Sequence, residues 1–218
     1  MLRLTDLREI LRYVPQFRDR AFVTGSLTQL VFWCGQASFF LVLALYLQQG
    51  RGLDARQAGL IFTILAGAYL VASLRAPMLT VRHGRTLVAI GATTLACGHA
   101  LLLAGVAGAG TSGPIVFLVP GLLLIGTGMG LCITPLVSTV LANIEPQRAG
   151  ATSGTLSTMQ QLGNALGVAV TGVIFFGALQ GGYAHAFEVS LAELSGLLLT
   201  VAALSRLLPR GRREPTPG

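Results

Sequence analysis

Lysine is absent from the 218 residues, and Asp and Glu together number only 8, so Arg alone supplies the 15 basic side chains. Charged residues make up 11% of the chain, less than half of the roughly 25% that a water-facing globular surface carries. That scarcity excludes an ordinary soluble domain. Cysteine is as sparse: Cys34, Cys97 and Cys132 stand singly inside apolar runs. With no CxxC or Cys/His spacing, no metal site is indicated, and the three read as small hydrophobes packing between helices. No cofactor signature is present either. A formal charge of +7 would suit nucleic acid only if the basic residues gathered on one folded surface. They lie instead in short loops and tails between apolar runs, which points to anionic lipid headgroups. A cleavable signal is also not expected. The first twenty residues mix Arg with Asp and Glu, and the apolar run after them exceeds the short core of a signal peptide.

What is abundant is apolar length: 53% of residues are hydrophobic and the mean hydropathy is +0.72. Six apolar runs fall at about 21–47, 57–79, 86–107, 114–142, 152–179 and 191–208. About 20 residues at 1.5 Å rise cross the roughly 30 Å of hydrocarbon in a bilayer. The runs are continuous and do not alternate with period two, which favours helices over a β-barrel. The expected fold is therefore an all-α membrane protein, a bundle of six transmembrane helices spanning 21–208. A leader at 1–20 and a basic tail at 209–218 flank it. The connections carry turn chemistry: Gln49-Gly50-Arg51-Gly52, His83-Gly84-Arg85, Gly108–Gly113, Glu145-Pro146 and Gly181-Gly182. Such short links predict that consecutive helices lie antiparallel and adjacent.

Arginine placement predicts orientation. One side collects the five Arg of the leader, Arg82, Arg85, Arg148, Arg206, Arg210, Arg212 and Arg213, with Arg75 able to snorkel to it; the other keeps Arg51 and Arg56. By the positive-inside rule both ends are cytoplasmic, in a multi-pass protein of the cell (inner or plasma) membrane. Leu4, Leu7, Leu11 and Val14 share a helical face, which describes either a short amphipathic segment in the headgroup layer or a solvated leader.

Polar residues inside the runs recur at helical spacing. Ser26, Gln29, Trp33, Gln36 and Phe40 are three or four apart in the first run, and Thr127, Thr134 and Ser138 form a weaker stripe in the fourth. Ser153, Ser157, Gln160, Gln161, Asn164 and Thr171 are expected along one side of the fifth. Amides turned to lipid are unfavourable, so these faces should meet neighbouring helices or a water-filled cavity. Interhelical hydrogen bonding and cavity lining both fit Gln29, Trp33, Gln36 and Phe40; for Asn164 interhelical bonding fits better. Small residues allow close packing in lipid: Gly126, Gly128 and Gly130 in the fourth run, and the GxxxG of Gly163 and Gly167 in the fifth. Pro120 and Pro135 should bend the fourth helix. Ionisable residues are few. His99 falls mid-helix and is expected neutral and hydrogen-bonded rather than relaying protons. Glu193 is expected near the outer end of the sixth helix, which would leave no acidic residue mid-membrane.

Four stretches resemble the fourteen-helix drug:proton antiporter branch of the major facilitator superfamily. Phe17-Arg18-Asp19-Arg20-Ala21-Phe22 is similar to its approach to the first helix of the C-terminal half. Tyr46-Leu47-Gln48-Gln49 with Gln57-Ala58-Gly59 is similar to its first outer turn. Ala76-Pro77 followed by Arg82-His83-Gly84-Arg85 resembles its inner-loop motif, with Val81 standing where GxxxDRxGRR has Asp. Arg148 to Gly154 with Gly150, and Gln160 to Ala169, resemble its RAGxASG…QLGGALGVA segment, with Asn164 in place of a common Gly. The resemblance covers about residues 15–209 and implies one half of a proton-coupled multidrug exporter, built from two inverted three-helix repeats. It implies that helices one, two, four and five line the cavity or the interface between halves, while three and six face lipid. The residues it and the polar stripes single out for a cavity are Gln29, Trp33, Gln36, Phe40, Thr134, Ser157, Gln160 and Asn164. Arg82, Gly84 and Arg85 stand for the loop motif, and Gly126, Gly130, Gly150, Gly154, Gly163 and Gly167 for helix packing. The branch's proton-titrating carboxylate belongs to its other half, so a complementary half or a second copy is the implied partner, with an amphipathic drug-like substrate and protons as cargo. Two other readings stand beside it. One is a non-transporting membrane scaffold or truncated remnant. The other is an intramembrane serine protease using Ser153, which lacks GxSxG spacing and a His on the same side.

Overall fold

A computed structural model describes residues 20–141 and 149–207, and within them the side chains other than those of residues 20–23, 25, 81–85, 134–141, 149, 151, 152, 155 and 204–207. The leader, the tail and the Glu145-Pro146 turn lie outside the described residues. Among those described, every regular element is helical.

Helix α1 spans Arg20–Leu45 and closes on one wider π-helical turn, Tyr46–Gly50, whose last bond runs from Arg51 N–H to the Tyr46 carbonyl at 2.9 Å. Helix α2 spans Ala55–Ala109. Its start is fixed by a reciprocal cap: Asp54 Oδ1 accepts from Gln57 N–H at 2.7 Å, while Asp54 N–H donates to Gln57 Oε1 at 3.1 Å. A short 3-10 turn, Ile115–Leu118, leads into α3, Val119–Leu141. Helix α4 spans Ala149–Ala178, and a 3-10 turn, Leu179–Gly181, joins it to α5, Gly182–Leu207.

A straight helix of 55 residues would be about 80 Å long, more than twice the hydrocarbon thickness. Helix α2 is not straight. Gly126 of α3 lies against Leu65 and Ala68, whereas Gly128, two residues on, lies against Gly91 and Leu95. Leu65 and Leu95 therefore stand at one level, although a straight helix would separate them by about 45 Å. The helix folds back into two arms, Ala55–Thr80 and Thr86–Ala109, each long and apolar enough to cross a membrane. The first arm runs with α3 (Leu65 beside Gly126, Ala72 beside Gly130) and the second runs against it (Gly98 beside Gly121, Gly91 beside Gly128). The two crossings expected here are present, and the chain reverses direction between them, at the expected His83-Gly84-Arg85 connection, although the backbone keeps its helical turns there.

Other boundaries also move. Helix α5 begins at Gly182, nine residues before the expected 191, because Ala186, Phe187 and Ser190 carry its buried face back past His185 and Glu188. Pro120 is the second residue of α3 rather than an interior one, where a missing N–H costs nothing and imposes no bend. Pro135 does lie in the interior of α3, as expected, and Pro77 lies inside the first arm of α2. Five apolar stretches qualify as spans, and the last, Leu156–Ala203, holds two crossings. Within it α4 and α5 face each other through Thr171 and Glu193 and through the rings of Phe175 and Tyr183, 6.3 Å between centroids.

Packing falls into two seams. In one, α3 lies between the arms of α2, with Leu95, Leu102, Leu122 and Ile125 buried at the contact. In the other, α1 packs on α4 and α5 rather than chiefly on α2, the helix that follows it. Two connections and the start of α5 are tied together at one end of the bundle. Tyr46 donates its hydroxyl to the Gly110 carbonyl at 2.7 Å and stacks on Phe187 with centroids 4.5 Å apart. The Arg51 guanidinium donates to Tyr46 Oη at 3.1 Å and to the Gly113 carbonyl.

Candidate functional site

The seam of α1, α4 and α5 gathers most of the buried polar side chains among the described residues. On α1, Ser26, Gln29 and Gln36 are buried, Trp33 is half-buried, and Phe40 is 37% exposed. A helix drifts about 20° per seven residues from an exact heptad, so the fourteen residues from Ser26 to Phe40 rotate the stripe off the inner face. Phe40 instead stacks on Phe62 of α2, 5.9 Å between centroids. The Gln29 Oε1 accepts from the Trp33 indole N–H at 2.8 Å, one turn along the same helix. Ser26 Oγ and Gln36 Nε2 are buried without a hydrogen-bond partner.

On α4, Gly163 and Gly167 let the helix approach α1 backbone to backbone. A methyl group at Gly163 would lie 2.7 Å from the Leu30 carbonyl oxygen, and one at Gly167 would lie 2.6 Å from Cys34 Cα. The polar residues of this helix do not share one side, as the sequence had suggested. Ser153, Ser157 and Gln161 are exposed, Gln160 and Asn164 are half-buried, and Thr171 is fully buried. Consecutive residues on a helix point about 100° apart, so Gln160 and Gln161 cannot lie on one face. Asn164 Oδ1 is buried without a partner. Gly150 and Gly154 face open space, where an added methyl would meet nothing within 4 Å. Gly126 and Gly130 pack on the first arm of α2. The side chain of Thr134, and those of Arg82 and Arg85 with the surroundings of Gly84, lie outside the described residues.

The ionisable groups depart furthest from expectation. Glu193 is the twelfth of 26 residues in α5, about 16 Å into the helix, because the helix begins earlier than its apolar run. It accepts from Thr171 Oγ1 at 3.2 Å through Oε1, while Oε2 is buried without a partner. His99, expected to be hydrogen-bonded, packs its ring edge-on against Phe39 at 5.0 Å, and neither ring nitrogen has a partner. Among the cysteines, Cys132 is buried, Cys34 is half-buried, and Cys97 faces outward rather than between helices.

Among the described residues no three His, Cys, Asp or Glu side chains come together as a metal site. Ser153 lies near the start of α4 and His185 near the start of α5. The length of α4 separates them by about 37 Å, which dismantles a Ser–His pair. Several features escaped the sequence reading. The cap Asp54-x-x-Gln57 was legible as spacing. Gly91 and Gly98 opposite Gly121 and Gly128 repeat every seven residues on both helices, also a readable signal. The meeting of Glu193 with Thr171 had none, because it needs the register between α4 and α5.

The family described as Major Facilitator Superfamily matches residues 3–168. A "Probable actinorhodin transporter" of Streptomyces coelicolor is 38% identical over 170 residues, covering 74% of this chain and 28% of its own. "Cephamycin export protein CmcT" of Amycolatopsis lactamdurans is 34% identical over 203 residues, 89% of this chain and 40% of its own. "Puromycin resistance protein pur8" of Streptomyces alboniger is 29% identical over 213 residues, 90% and 41% respectively. The chain thus spans less than half the length of these relatives. With apolar crossing helices, glycine-packed seams and a match over three quarters of its residues, this chain belongs to the Major Facilitator Superfamily, a family of multi-pass membrane transporters and not of enzymes.

Proposed function

We propose that this chain is one six-helix half of an exporter of amphipathic small molecules, driven by exchange against protons and active only when a second half completes it. The observation that carries this reading is the uncovered face of α4. Ser157, Thr158 and Gln161 are exposed on a membrane-crossing helix, and further along it Leu166, Val170 and Val173 are 52%, 53% and 76% exposed, so the uncovered side is broad. An amide facing hydrocarbon is costly, so this face requires protein or water against it. The first arm of α2 offers a second such surface: Gly59 and Gly67 stand in open space and Thr63 is exposed between them. Superfamily halves rock about a central site, and both faces suit the interface between halves. The relatives' names concern actinorhodin, cephamycin and puromycin, which supports a small organic cargo here.

In this reading Ser157, Gln160 and Asn164 border the central cavity with Trp33 and Thr134, whereas Gln29 and Gln36 reach it only when the α1–α4 seam opens. The covering partner is a complementary N-terminal half or a second copy. The arginine asymmetry supports cytoplasmic ends for both termini, which thiol labelling of single-Cys variants at Arg56 and Arg75 from each side of sealed vesicles would test. For function, the chain is reconstituted alone and together with an N-terminal half of a related transporter, and dye efflux under a pH gradient is followed. Efflux only with the added half is expected; robust efflux from the monomeric chain alone overturns the half-exporter reading. Cross-linking of Gln161→Cys between two copies would identify the second copy as the partner.

A further inference from the structure

We propose that Glu193, held between α4 and α1 by Thr171, is a proton-binding carboxyl of this half, taking up and releasing a proton within the membrane. Three helices agree on its depth. Glu193 is the twelfth of 26 residues of α5; Thr171, its hydrogen-bond partner, is seven residues before the end of α4; and Cys34, which faces the carboxyl from α1, is eleven residues before the end of that helix. At 1.5 Å per residue these place the group about 10–16 Å from the helix ends.

The surroundings of the carboxyl are incomplete in a specific way. Oε1 accepts a single hydrogen bond, from Thr171 Oγ1 at 3.2 Å, and Oε2 is buried with none. No ion pair to it is formed among the described residues. The facing titratable group is the Cys34 thiol of α1; α4 brings only the Thr171 hydroxyl. Helix α2 also packs on α5, but its buried titratable group, His99, lies against Phe39. Glu188 and His185 are on α5 itself, nearer its start. An ionised carboxylate with one hydrogen bond and no counter-charge is stable at this depth only if water reaches it. When the seam is closed, a proton from water forms an O–H bond on the carboxylate. When the seam opens to either aqueous side, that bond breaks and the proton returns to water. The side chain is half-buried, not sealed, so the access that this cycle needs is close at hand. Its place in transport coupling rests on the half-exporter reading; the proton binding itself does not.

The test uses the whole chain in proteoliposomes, without any transport. Dicyclohexylcarbodiimide, an apolar reagent, adds to a protonated carboxyl to give a stable acylurea, mapped by mass spectrometry. Labelling of Glu193 is expected to fall about tenfold per pH unit above its midpoint, with Glu188 reacting instead with a water-soluble carbodiimide. Glu193→Gln should abolish the label. Thr171→Val, which removes the hydroxyl yet keeps the side-chain shape, should move the midpoint. Glu193 that stays unlabelled at low pH in folded chain, or reacts as readily with the water-soluble reagent as Glu188, overturns the proposal. Because no efflux is measured, a chain that labels as expected but exports nothing with an added half refutes the exporter reading alone.

Discussion

The two seams of this bundle use the same small residue for different ends. Between α2 and α3, Gly91 faces Gly128 and Gly98 faces Gly121, each pair in backbone contact and seven residues from the next. Gly126 and Gly130 do the same toward the first arm. Among the described residues, the side chains buried at that contact are apolar, and the Cys132 thiol donates to the Val88 carbonyl at 3.4 Å. Between α1 and α4, Gly163 and Gly167 bring the backbones equally close. Yet that seam and its α5 border hold Ser26, Gln36, Asn164 and Glu193, each with a buried polar atom that nothing satisfies. In lipid no hydrophobic drive separates or joins helices, so packing and hydrogen bonds decide what stays fixed. The first seam is saturated and has nothing to gain by opening. The second would gain hydrogen bonds by admitting water, substrate or a partner. One seam is saturated; the other is not.

The largest test of this contrast is Gly128→Ala. A methyl there would sit 2.7 Å from Leu95 Cγ and 2.8 Å from the Gly91 oxygen, and the opposing backbone cannot yield. Overpacking of this kind costs about 1–3 kcal/mol, and the upper end is expected. Unfolding in mixed detergent micelles followed by circular dichroism measures it. Gly172→Ala is the control: its added methyl meets nothing within 4 Å, so the helix should lose no stability. Equal losses in the two variants would show that the close approach between α2 and α3 contributes nothing particular.

How much of this was legible beforehand follows from which interactions are local. The six crossings and the glycines at 126, 130, 163 and 167 could be read because apolar length and small-residue spacing are properties of one segment. The start of α5 could not, because His185 and Glu188 interrupt its apolar run while Ala186, Phe187 and Ser190 keep the helical face intact. That single misplacement moved Glu193 from an expected membrane edge to mid-helix. The rim of α4 was misread for a related reason: spacing within a segment gives a face, but only the neighbouring helices decide whether that face points in or out.

His99 gives the next largest effect and probes the boundary between the seams. Its ring is 3% exposed, lies edge-on to Phe39, and leaves both nitrogens unpartnered. A buried unsatisfied polar group costs about 1–3 kcal/mol, so His99→Leu should stabilise the chain by about 1 kcal/mol in the same unfolding assay. Destabilisation would mean that a nitrogen is bonded to water, and that the polar seam reaches further into the bundle than α1. A comparable but opposite change is expected at the tied end. Tyr46→Phe removes the hydroxyl that donates to Gly110 at 2.7 Å and accepts from Arg51 at 3.1 Å, at a cost of about 1 kcal/mol. Thermal melting of the variant beside Arg51→Gln, with their double variant, shows whether the two act as one unit.

The smallest effect is expected where the contrast is most exposed to failure, at Thr171→Val. The substitution keeps the buried volume and deletes one hydrogen bond of 3.2 Å to Glu193. Interhelical hydrogen bonds in membranes average only about 0.6 kcal/mol, because the separated helices find other partners. A loss of that size leaves α4 and α5 held mainly by Phe175 and Tyr183 and free to part at the carboxyl. A loss approaching that of Gly128→Ala would mean that the polar seam is as tightly bound as the glycine seam. The contrast between a saturated seam and an unsaturated one would then fail at the residue on which it depends.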